Sequence, residues 1–327
     1  MLRLPKFRYL QPRSVSDAIR MMADSGPDAM FVAGGTDLYP NMKRRQQTPK
    51  VVIGLAQVKD LSTIKGEPKE GVVLGAGLTL ADVTADRRIR AAYPAVAKAA
   101  ELISTPLLRN MGSIGGNLLL DTRCNYYDQN YEWRKAIHFC MKKDGEICWV
   151  APSSPRCWAV QSSDCAPVMV AIGAKVKLVS NSGERMISAA ELYNDDGIRH
   201  LNKRPDELLT EIHLPPVNGW RATYWKLRRR GTFDFPVLGV AASLKLSADG
   251  TVEDSKIILG GVGSHPIEAT AAQNVIAGKK LTEEIIREAA QAAYKPAKPL
   301  DNTDFAMTWR KEMARLYVAG ALRELVQ

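Results

Sequence analysis

Four of the five cysteines in this chain stand close together, and their clustering limits what the middle of the chain can become. Cys124, Cys140, Cys148 and Cys157 are separated by 15, 7 and 8 residues, and Cys165 follows shortly afterwards. The rest of the 327-residue chain contains no cysteine. Thiols gathered in one segment are expected to act together, on a metal, on a cluster or on each other.

The cysteine spacing by itself leaves the chemistry of this segment open. Zinc sites commonly use paired C-x2–4-C motifs and ferredoxins use C-x2-C-x2-C, and neither is present. Disulfides are disfavoured because the cysteine number is odd and a cytoplasmic location is expected, since the N-terminal residues show no apolar export-signal run. Four thiolates could hold a [4Fe–4S] cluster if the loop folded back on itself, and His138 could replace one ligand. Unrelated buried thiols are the remaining alternative, and Cys165, before an apolar run, is interpreted as a small buried side chain.

Two glycine-rich loops beside apolar runs form a second pattern. The first is AGGTD at 33–37, and the second is GSIGGN at 112–117. Adjacent glycines let backbone N–H groups turn toward an anion such as a pyrophosphate, and Thr36, Ser113 and Asn117 add polar side chains. Neither loop is a Walker A or G-x-G-x-x-G motif, so a simple tight turn is the alternative for each loop alone. Two such loops in one chain favour a dinucleotide.

Composition excludes several classes of function. Hydrophobic residues make up 46% and charged residues 24% of the chain, which predicts a globular protein of two or three domains. The net charge is +10, but the basic clusters at 43–45 and 228–230 lack a nucleic-acid-binding motif, so an anionic cofactor or partner is the expected counterpart. The longest apolar run, 165–174, is too short to span a bilayer, and a cytoplasmic location is expected. No hydrolase motif is present.

The predicted elements divide the chain into three parts. Residues 1–56 are predicted to form a small parallel α/β unit, 57–180 a second unit interrupted by the segment 121–163, and 181–327 a separate unit. The predicted strands are 29–33, 51–55, 72–76, 175–179, 207–214, 222–229, 238–245 and 255–259, with a hairpin turn at 248–250. The predicted helices begin after Ser14 or Ser16, and then cover 38–45, Thr79 to Ile89, 93–103, 167–173, 282–294 and 304–325.

The motifs FVAGGTDLYPNMK, MGSIGGNLLLDTRC and SSDCAPVMVAIGA together resemble the FAD-binding medium subunit of the xanthine oxidase (molybdenum hydroxylase) family. The likeness runs along nearly the whole chain and includes DELLTEIHLPP and YWKLRRR. It implies an α+β protein with a PCMH-type FAD-binding fold. That fold consists of a small parallel α/β subdomain and a mixed or antiparallel α+β subdomain. A C-terminal CO-dehydrogenase-flavoprotein-like α+β domain with an antiparallel sheet follows at 181–327.

The long segment between Asn117 and Asp164 departs from most members of this family, which connect these positions with far fewer residues. The four-cysteine insertion is similar to that of the β subunit of 4-hydroxybenzoyl-CoA reductases, in DTRC, the YY pair, EWR and the cysteine spacing. In those proteins the loop binds a [4Fe–4S] cluster. Medium subunits of periplasmic aldehyde oxidoreductases also carry a cysteine insertion, but with different spacing.

Position by position, the resemblance implies a flavin site and a cluster site, and it assigns no catalytic residue because electrons only pass through both. The residues implied for FAD are Phe31, Val32, Ala33, Gly34, Gly35, Thr36, Asp37, Leu38, Ile103, Ser113, Ile114, Gly115, Gly116, Asn117, Asp121, Asp164, Leu208 and Lys226. The residues implied for the [4Fe–4S] cluster are Cys124, Cys140, Cys148 and Cys157. Cys165 stands where the family usually has an apolar residue, and Leu120 where close relatives are polar.

The resemblance also implies partners and a reaction. The expected complex is a dimer of heterotrimers with a molybdenum-cofactor large subunit and a [2Fe–2S] small subunit. A reduced ferredoxin is the expected donor, and 4-hydroxybenzoyl-CoA is the expected substrate in anaerobic aromatic degradation. One alternative is the medium FAD subunit of an aldehyde or xanthine/purine dehydrogenase. An alternative of another class is a zinc-stapled, non-redox interaction module.

Overall fold

A computed structural model describes residues 2–327, and its N-terminal part is built on a three-stranded parallel sheet. The strands β1 (Arg8–Leu10), β2 (Ala29–Val32) and β3 (Val51–Gly54) lie in the order β1-β3-β2. Helix α1 (Val15–Ser25) buries one apolar face, and the side chain of Ser14 caps it. Helix α2 (Leu38–Lys43) starts directly after the first glycine loop. The predicted parallel α/β unit is confirmed.

A five-stranded antiparallel sheet forms the middle of the molecule. It contains β4 (Ile64–Glu67), β5 (Gly71–Gly75), β6 (Lys175–Ser180), β7 (Gly183–Ser188) and β8 (Leu208–Leu214), in the order β4-β5-β8-β6-β7. The prediction that β8 belongs with the C-terminal strands is wrong, because β8 pairs with β5 and β6. The alternating pattern of β8 predicted a strand correctly, but that pattern contains no information about which strand lies beside it.

Short helices cover one face of this sheet. They are α3 (Leu80–Ala85), α4 (Arg87–Ala92), α5 (Pro94–Glu101), α6 (Pro106–Arg109), α7 (Ile114–Leu118) and α9 (Cys165–Ala171). The prediction of a single helix from Thr79 to Ile89 is wrong, because the structure has two helices there. Thr79 caps α3 as expected, but Asp86 accepts the N–H groups of Arg88 and Ile89 and so starts a new helix.

The C-terminal part is a four-stranded antiparallel sheet packed against helices. Its strands β9 (Trp220–Leu227), β10 (Leu238–Leu246), β11 (Val252–Gly260) and β12 (Ile267–Glu268) lie in the order β12-β11-β10-β9. Helices α11 (Glu283–Tyr294) and α12 (Met307–Val326) were predicted, whereas α10 (Thr270–Ile276) was not. The predicted hairpin at 248–250 joins β10 and β11. The α+β class and the antiparallel C-terminal sheet are therefore confirmed.

The segment 121–163 is mostly irregular and contains one helix, α8 (Tyr131–Ala136). Its two ends are closed by paired backbone hydrogen bonds between Arg123 and Val160, of 2.8 and 2.7 Å. It contacts the N-terminal part where the Gln46 side-chain amide donates to the Tyr127 carbonyl. It contacts the C-terminal part where the Asn125 N–H donates to the Asn302 carbonyl at 2.9 Å. The cysteine loop therefore lies where the other parts of the fold meet.

Among residues 2–327, no helix is both long and apolar enough to cross a membrane.

Candidate cofactor sites

The two glycine-rich loops lie against each other, although more than 70 residues separate them in the sequence. A Cβ added to Gly34 would overlap the carbonyl oxygen of Met111, and one added to Gly112 would lie 3.4 Å from the Thr36 hydroxyl. Gly35 has a φ of 70° and faces the Tyr39 ring, so it also requires glycine. Because glycine has no side chain, the backbones of 33–37 and 112–117 can approach closely and form one site, which we call the cradle.

The second loop is held by the strand that precedes it. Gly115 donates to the Ala76 carbonyl at 2.9 Å, and a Cβ on Gly115 would lie 2.6 Å from that oxygen. The Ser113 hydroxyl accepts the N–H of Gly116 at 3.1 Å. The backbone of this loop is therefore fixed at the end of β5. A rigid, glycine-lined cradle at strand ends has the geometry that suits a pyrophosphate, so the residues present fit FAD.

A buried polar network lies behind the second loop. The Asn117 side-chain oxygen accepts from the Ser163 hydroxyl at 2.7 Å and from the Cys165 N–H at 3.2 Å. Asp164 accepts from the Tyr224 hydroxyl at 2.9 Å and from the Lys226 ammonium at 3.0 Å. Sequence reasoning missed Tyr224, which lies two positions before Lys226 on β9 and so points to the same face.

Burial dominates the electrostatics of the Asp164–Lys226 pair, whose side chains are only 3% and 1% exposed. Loss of water raises the pKa of Asp164 and lowers the pKa of Lys226, while their mutual attraction opposes both shifts. Lys226 also donates to the Leu102 carbonyl at 2.9 Å, which places it beside Ile103. Three of the residues implied for FAD thus gather at one place.

Several other residues implied for FAD belong to the core around the cradle. Leu208 and the edge of Phe31 pack in one apolar cluster. Val32 and Leu38 are buried between α2 and the parallel sheet, and Ile114 is buried in the central core. These side chains support the backbone of the cradle, with Ala33 as the link between β2 and the first loop.

Asp37 lies at the opening of the cradle and forms an ion pair that the sequence did not predict. Its carboxylate accepts from the Arg123 guanidinium and, at 3.2 Å, from the Asn41 amide. The guanidinium lies 4.6 Å from the centre of the Phe235 ring. Arg123, Phe235 and Ser162 line a cleft that is open to solvent. The Nε atom of Arg123 and the hydroxyl of Ser162 are buried there without a protein partner in residues 2–327.

The four clustered cysteines surround a single pocket. Cys124, Cys140, Cys148 and Cys157 are all buried and form no disulfide, and all four line one small pocket that is partly open to solvent. The loop therefore folds back on itself, as a shared site requires. His138 is exposed and does not line this pocket. Cys165 lies apart in the central core, as predicted.

Burial favours neutral thiols in this pocket. Burial raises the pKa of Cys124 to about 12 and that of Cys157 to about 11, and nearby thiols add to both shifts. A metal centre binds thiolates, so its binding would release these protons. Within residues 2–327, no three His, Cys, Asp or Glu side chains are grouped closely enough to hold one metal ion.

Asp121, one of the residues implied for FAD, contacts the wall of the cysteine pocket. Its carboxylate accepts from Lys142 at 2.8 Å, from the Tyr127 hydroxyl at 3.0 Å and from Gln47 at 3.3 Å. Lys142 and Tyr127 both line the cysteine pocket. Tyr127 entered the sequence analysis only as part of the YY pair of the resemblance, and Lys142 was not singled out because nothing in the local pattern distinguishes it from a surface residue.

Comparison with known proteins gives consistent results over the whole chain. Residues 5–217 match the family described as FAD binding domain in molybdopterin dehydrogenase, and residues 222–325 match the CO dehydrogenase flavoprotein C-terminal domain. The chain is 30% identical to the aldehyde oxidoreductase FAD-binding subunit PaoB of Escherichia coli, over 97% of this chain and 98% of that one. It is 24% identical to the glyceraldehyde dehydrogenase medium chain of Sulfolobus acidocaldarius, over 98% and 99%. Its structure is similar to that of a chain of carbon monoxide dehydrogenase from Hydrogenophaga pseudoflava, with a TM-score of 0.80, 26% identity and coverage of 99% and 98%.

Proposed function

This chain belongs to the family of FAD-binding subunits of molybdopterin dehydrogenases, and from that membership we propose that it is the FAD- and [4Fe–4S]-carrying subunit of a molybdenum-containing 4-hydroxybenzoyl-CoA reductase. In this proposal the chain relays electrons from a reduced ferredoxin to a [2Fe–2S] small subunit and a molybdenum-cofactor large subunit. There the phenolic hydroxyl of 4-hydroxybenzoyl-CoA is removed to give benzoyl-CoA. A cytoplasmic dimer of heterotrimers is part of the same proposal.

The observation that carries this proposal is the pocket formed by the four cysteines. A tetrahedral zinc site needs four sulfurs about 2.3 Å from a single point. A four-iron cube spreads its four thiolates more widely, because irons and sulfides lie between them. Four cysteine side chains that line one pocket supply the four thiolate ligands that such a cluster needs. A redox centre is also favoured because Asp121, implied for FAD, contacts two residues of that wall.

FAD and an iron–sulfur cluster, when bound, supply electron transfer, whereas the protein supplies binding and position. The backbone groups of Gly34, Gly35 and Gly116 would receive the pyrophosphate, and the hydroxyls of Thr36 and Ser113 lie at the same cradle. The Asp164–Lys226 pair would present a fixed polar wall.

A second candidate is the medium subunit of an aldehyde-oxidising complex. The observation that favours it is the 30% identity to an aldehyde oxidoreductase subunit over nearly the full length of both chains. The glyceraldehyde dehydrogenase relative points the same way. The residues that choose the substrate would lie on a partner subunit in either case, so this chain's sites are compatible with both reactions.

Metal and flavin analysis of the isolated chain tests the cofactor part of the proposal. Purified without oxygen, the protein is expected to contain about four irons per chain, as a [4Fe–4S] centre requires, together with FAD. One zinc and no iron would refute the cluster and favour the zinc-stapled module instead.

Assay of the whole complex tests the substrate. Reduction of 4-hydroxybenzoyl-CoA by a reduced ferredoxin, with no aldehyde oxidation, is the expected result. Aldehyde oxidation without reductase activity would replace the first candidate with the second.

A further inference from the structure

Lys142 is a buried lysine whose three N–H donors are all used. Its side chain is 6% exposed. The ammonium donates to Asp121 at 2.8 Å, to the Thr122 hydroxyl at 2.7 Å and to the Gly197 carbonyl at 2.7 Å. An ammonium has three donors, so its position is fixed by a complete set of hydrogen bonds. A buried charge held in this way is costly unless it meets opposite charge.

The same lysine belongs to the wall of the cysteine pocket. Lys142 lines that pocket together with the four cysteines, and it is the one charged side chain in the pocket wall that the described residues form. It lies 4.8 Å from the centre of the Tyr127 ring, another wall residue. One of its acceptors, Gly197, packs beside Cys157, since a Cβ on Gly197 would lie 2.7 Å from the Cys157 sulfur.

Charge balance explains why a lysine is placed here. Four thiolates would bring negative charge into a poorly solvated pocket, and Asp121 adds one more negative charge beside it. Coulomb interactions are strong and weakly screened at such sites. The Lys142 ammonium is attracted to both groups, so it stabilises thiolates in the pocket while it holds the Asp121 carboxylate.

We propose that Lys142 is a positioning residue shared by the two cofactor sites, which offsets the negative charge of the four-cysteine centre and fixes Asp121 beside the flavin. This inference rests on the proposed function. Net charge and hydrogen bonding near a cluster set its reduction potential. The reduced cluster carries one more negative charge than the oxidised one, so loss of the ammonium disfavours reduction.

The test compares three variants of the anaerobically purified full-length chain. Lys142→Met removes the charge and keeps most of the side-chain length, whereas Lys142→Arg keeps a charge. Lys143→Met is the matched control, because the adjacent Lys143 is partly exposed and pairs with Asp144. Iron and FAD per chain are measured first, and the midpoint potential of the cluster is then measured by a redox titration followed by electron paramagnetic resonance.

The expected result is a shift to more negative potential in Lys142→Met, with Lys142→Arg and Lys143→Met close to the wild type. An unchanged potential in an iron-loaded Lys142→Met protein would overturn the proposal. If Lys142→Met cannot load iron, loading by Lys142→Arg supports a role for the charge, and failure of both variants contradicts it.

Failure of the proposed function gives a different result. A wild-type chain that binds zinc instead of iron would refute the [4Fe–4S] centre but would still test Lys142. Its charge should then be needed for tight zinc binding, so Lys142→Met, but not Lys143→Met, should weaken zinc affinity. Equal affinities in the two variants would overturn the inference.

Discussion

The glycine cradle and the cysteine loop are organised in opposite ways. In the cradle the side chains are absent where Gly34 meets Met111, and the backbone itself forms the site at the ends of regular strands. In the cysteine loop the backbone is irregular, and four sulfur atoms on side chains form the site. The cradle therefore depends on the scaffold, whereas the loop depends on a few long-range contacts. Changes in one region should leave the other largely intact.

Each region also contains a buried lysine–aspartate pair. Asp164 and Lys226 lie in the scaffold behind the cradle, whereas Asp121 and Lys142 lie in the loop and contact Gln47 and Gly197 of the scaffold. Loss of the first pair is expected mainly to lower the free energy of unfolding. Loss of the second pair is expected mainly to change the reduction potential of the cluster. The predictions below are ordered by their expected effect on the free energy of unfolding.

Lys226→Met should have the largest effect on stability. It leaves Asp164 buried without its ammonium partner, and loss of one partner of a buried pair costs about 3–5 kcal/mol. Burial already raises the pKa of Asp164, so the variant can recover by protonation. Its deficit in unfolding free energy should therefore be smaller at pH 5 than at pH 8, as measured by urea unfolding. A deficit that is equal at both pH values would contradict this explanation.

Gly34→Ala should push the two glycine-rich loops apart. Its methyl group would overlap the Met111 carbonyl, and overpacking of this kind costs about 1–3 kcal/mol. FAD content should fall sharply while iron content stays at the wild-type value. Gly231→Ala is the matched control, because its methyl group would enter open space. Equal loss of FAD and iron in Gly34→Ala would show that the two regions are not independent.

Cys148→Ser tests whether a change in the cysteine loop leaves FAD binding at the cradle intact. A buried hydroxyl in place of the thiol should destabilise the metal-free chain by about 1–2 kcal/mol. Iron should be lost because hydroxyl is a poor ligand for a cluster, while FAD content is kept. Cys165→Ala, in the central core, should keep iron. Iron retained in Cys148→Ser would remove this cysteine from the ligand set.

Alkaline pH should loosen the metal-free loop more than the cradle. The raised pKa of Cys124, about 12 in the folded chain, means that folding favours its neutral thiol. That stabilisation is complete below about pH 9 and is lost as the pH rises toward 12. At pH 10, one unit above the start of this loss, the loss for Cys124 is about 1.4 kcal/mol, since one pKa unit corresponds to about 1.4 kcal/mol. Urea unfolding of wild type and Cys124→Ala between pH 7 and 10 measures it. The pH slope should be smaller in the variant, and equal slopes would exclude this thiol as the cause.

The sequence by itself determined much of the local structure. The β-α-β order of the N-terminal unit, the Ser14 cap and the hairpin at 248–250 are encoded by residues close to one another, so their patterns were sufficient. The point where one helix ends and the next begins was harder to predict. The break at Asp86 depends on a small difference between continuing one helix and capping another. The resemblance supplied the family and the list of cofactor residues, which local patterns did not.

Only the tertiary structure decided which distant groups meet. The placement of β8 between β5 and β6, the contact of Gly34 with Met111 and the pairing of Lys142 with Asp121 all join segments that are far apart or irregular. A lysine in a loop looks the same in the sequence whether it is exposed or buried, as Lys142 and Lys143 demonstrate. The difference arises because the energy of a charged side chain depends on its solvation and on its neighbours, and both are set by packing of the whole chain.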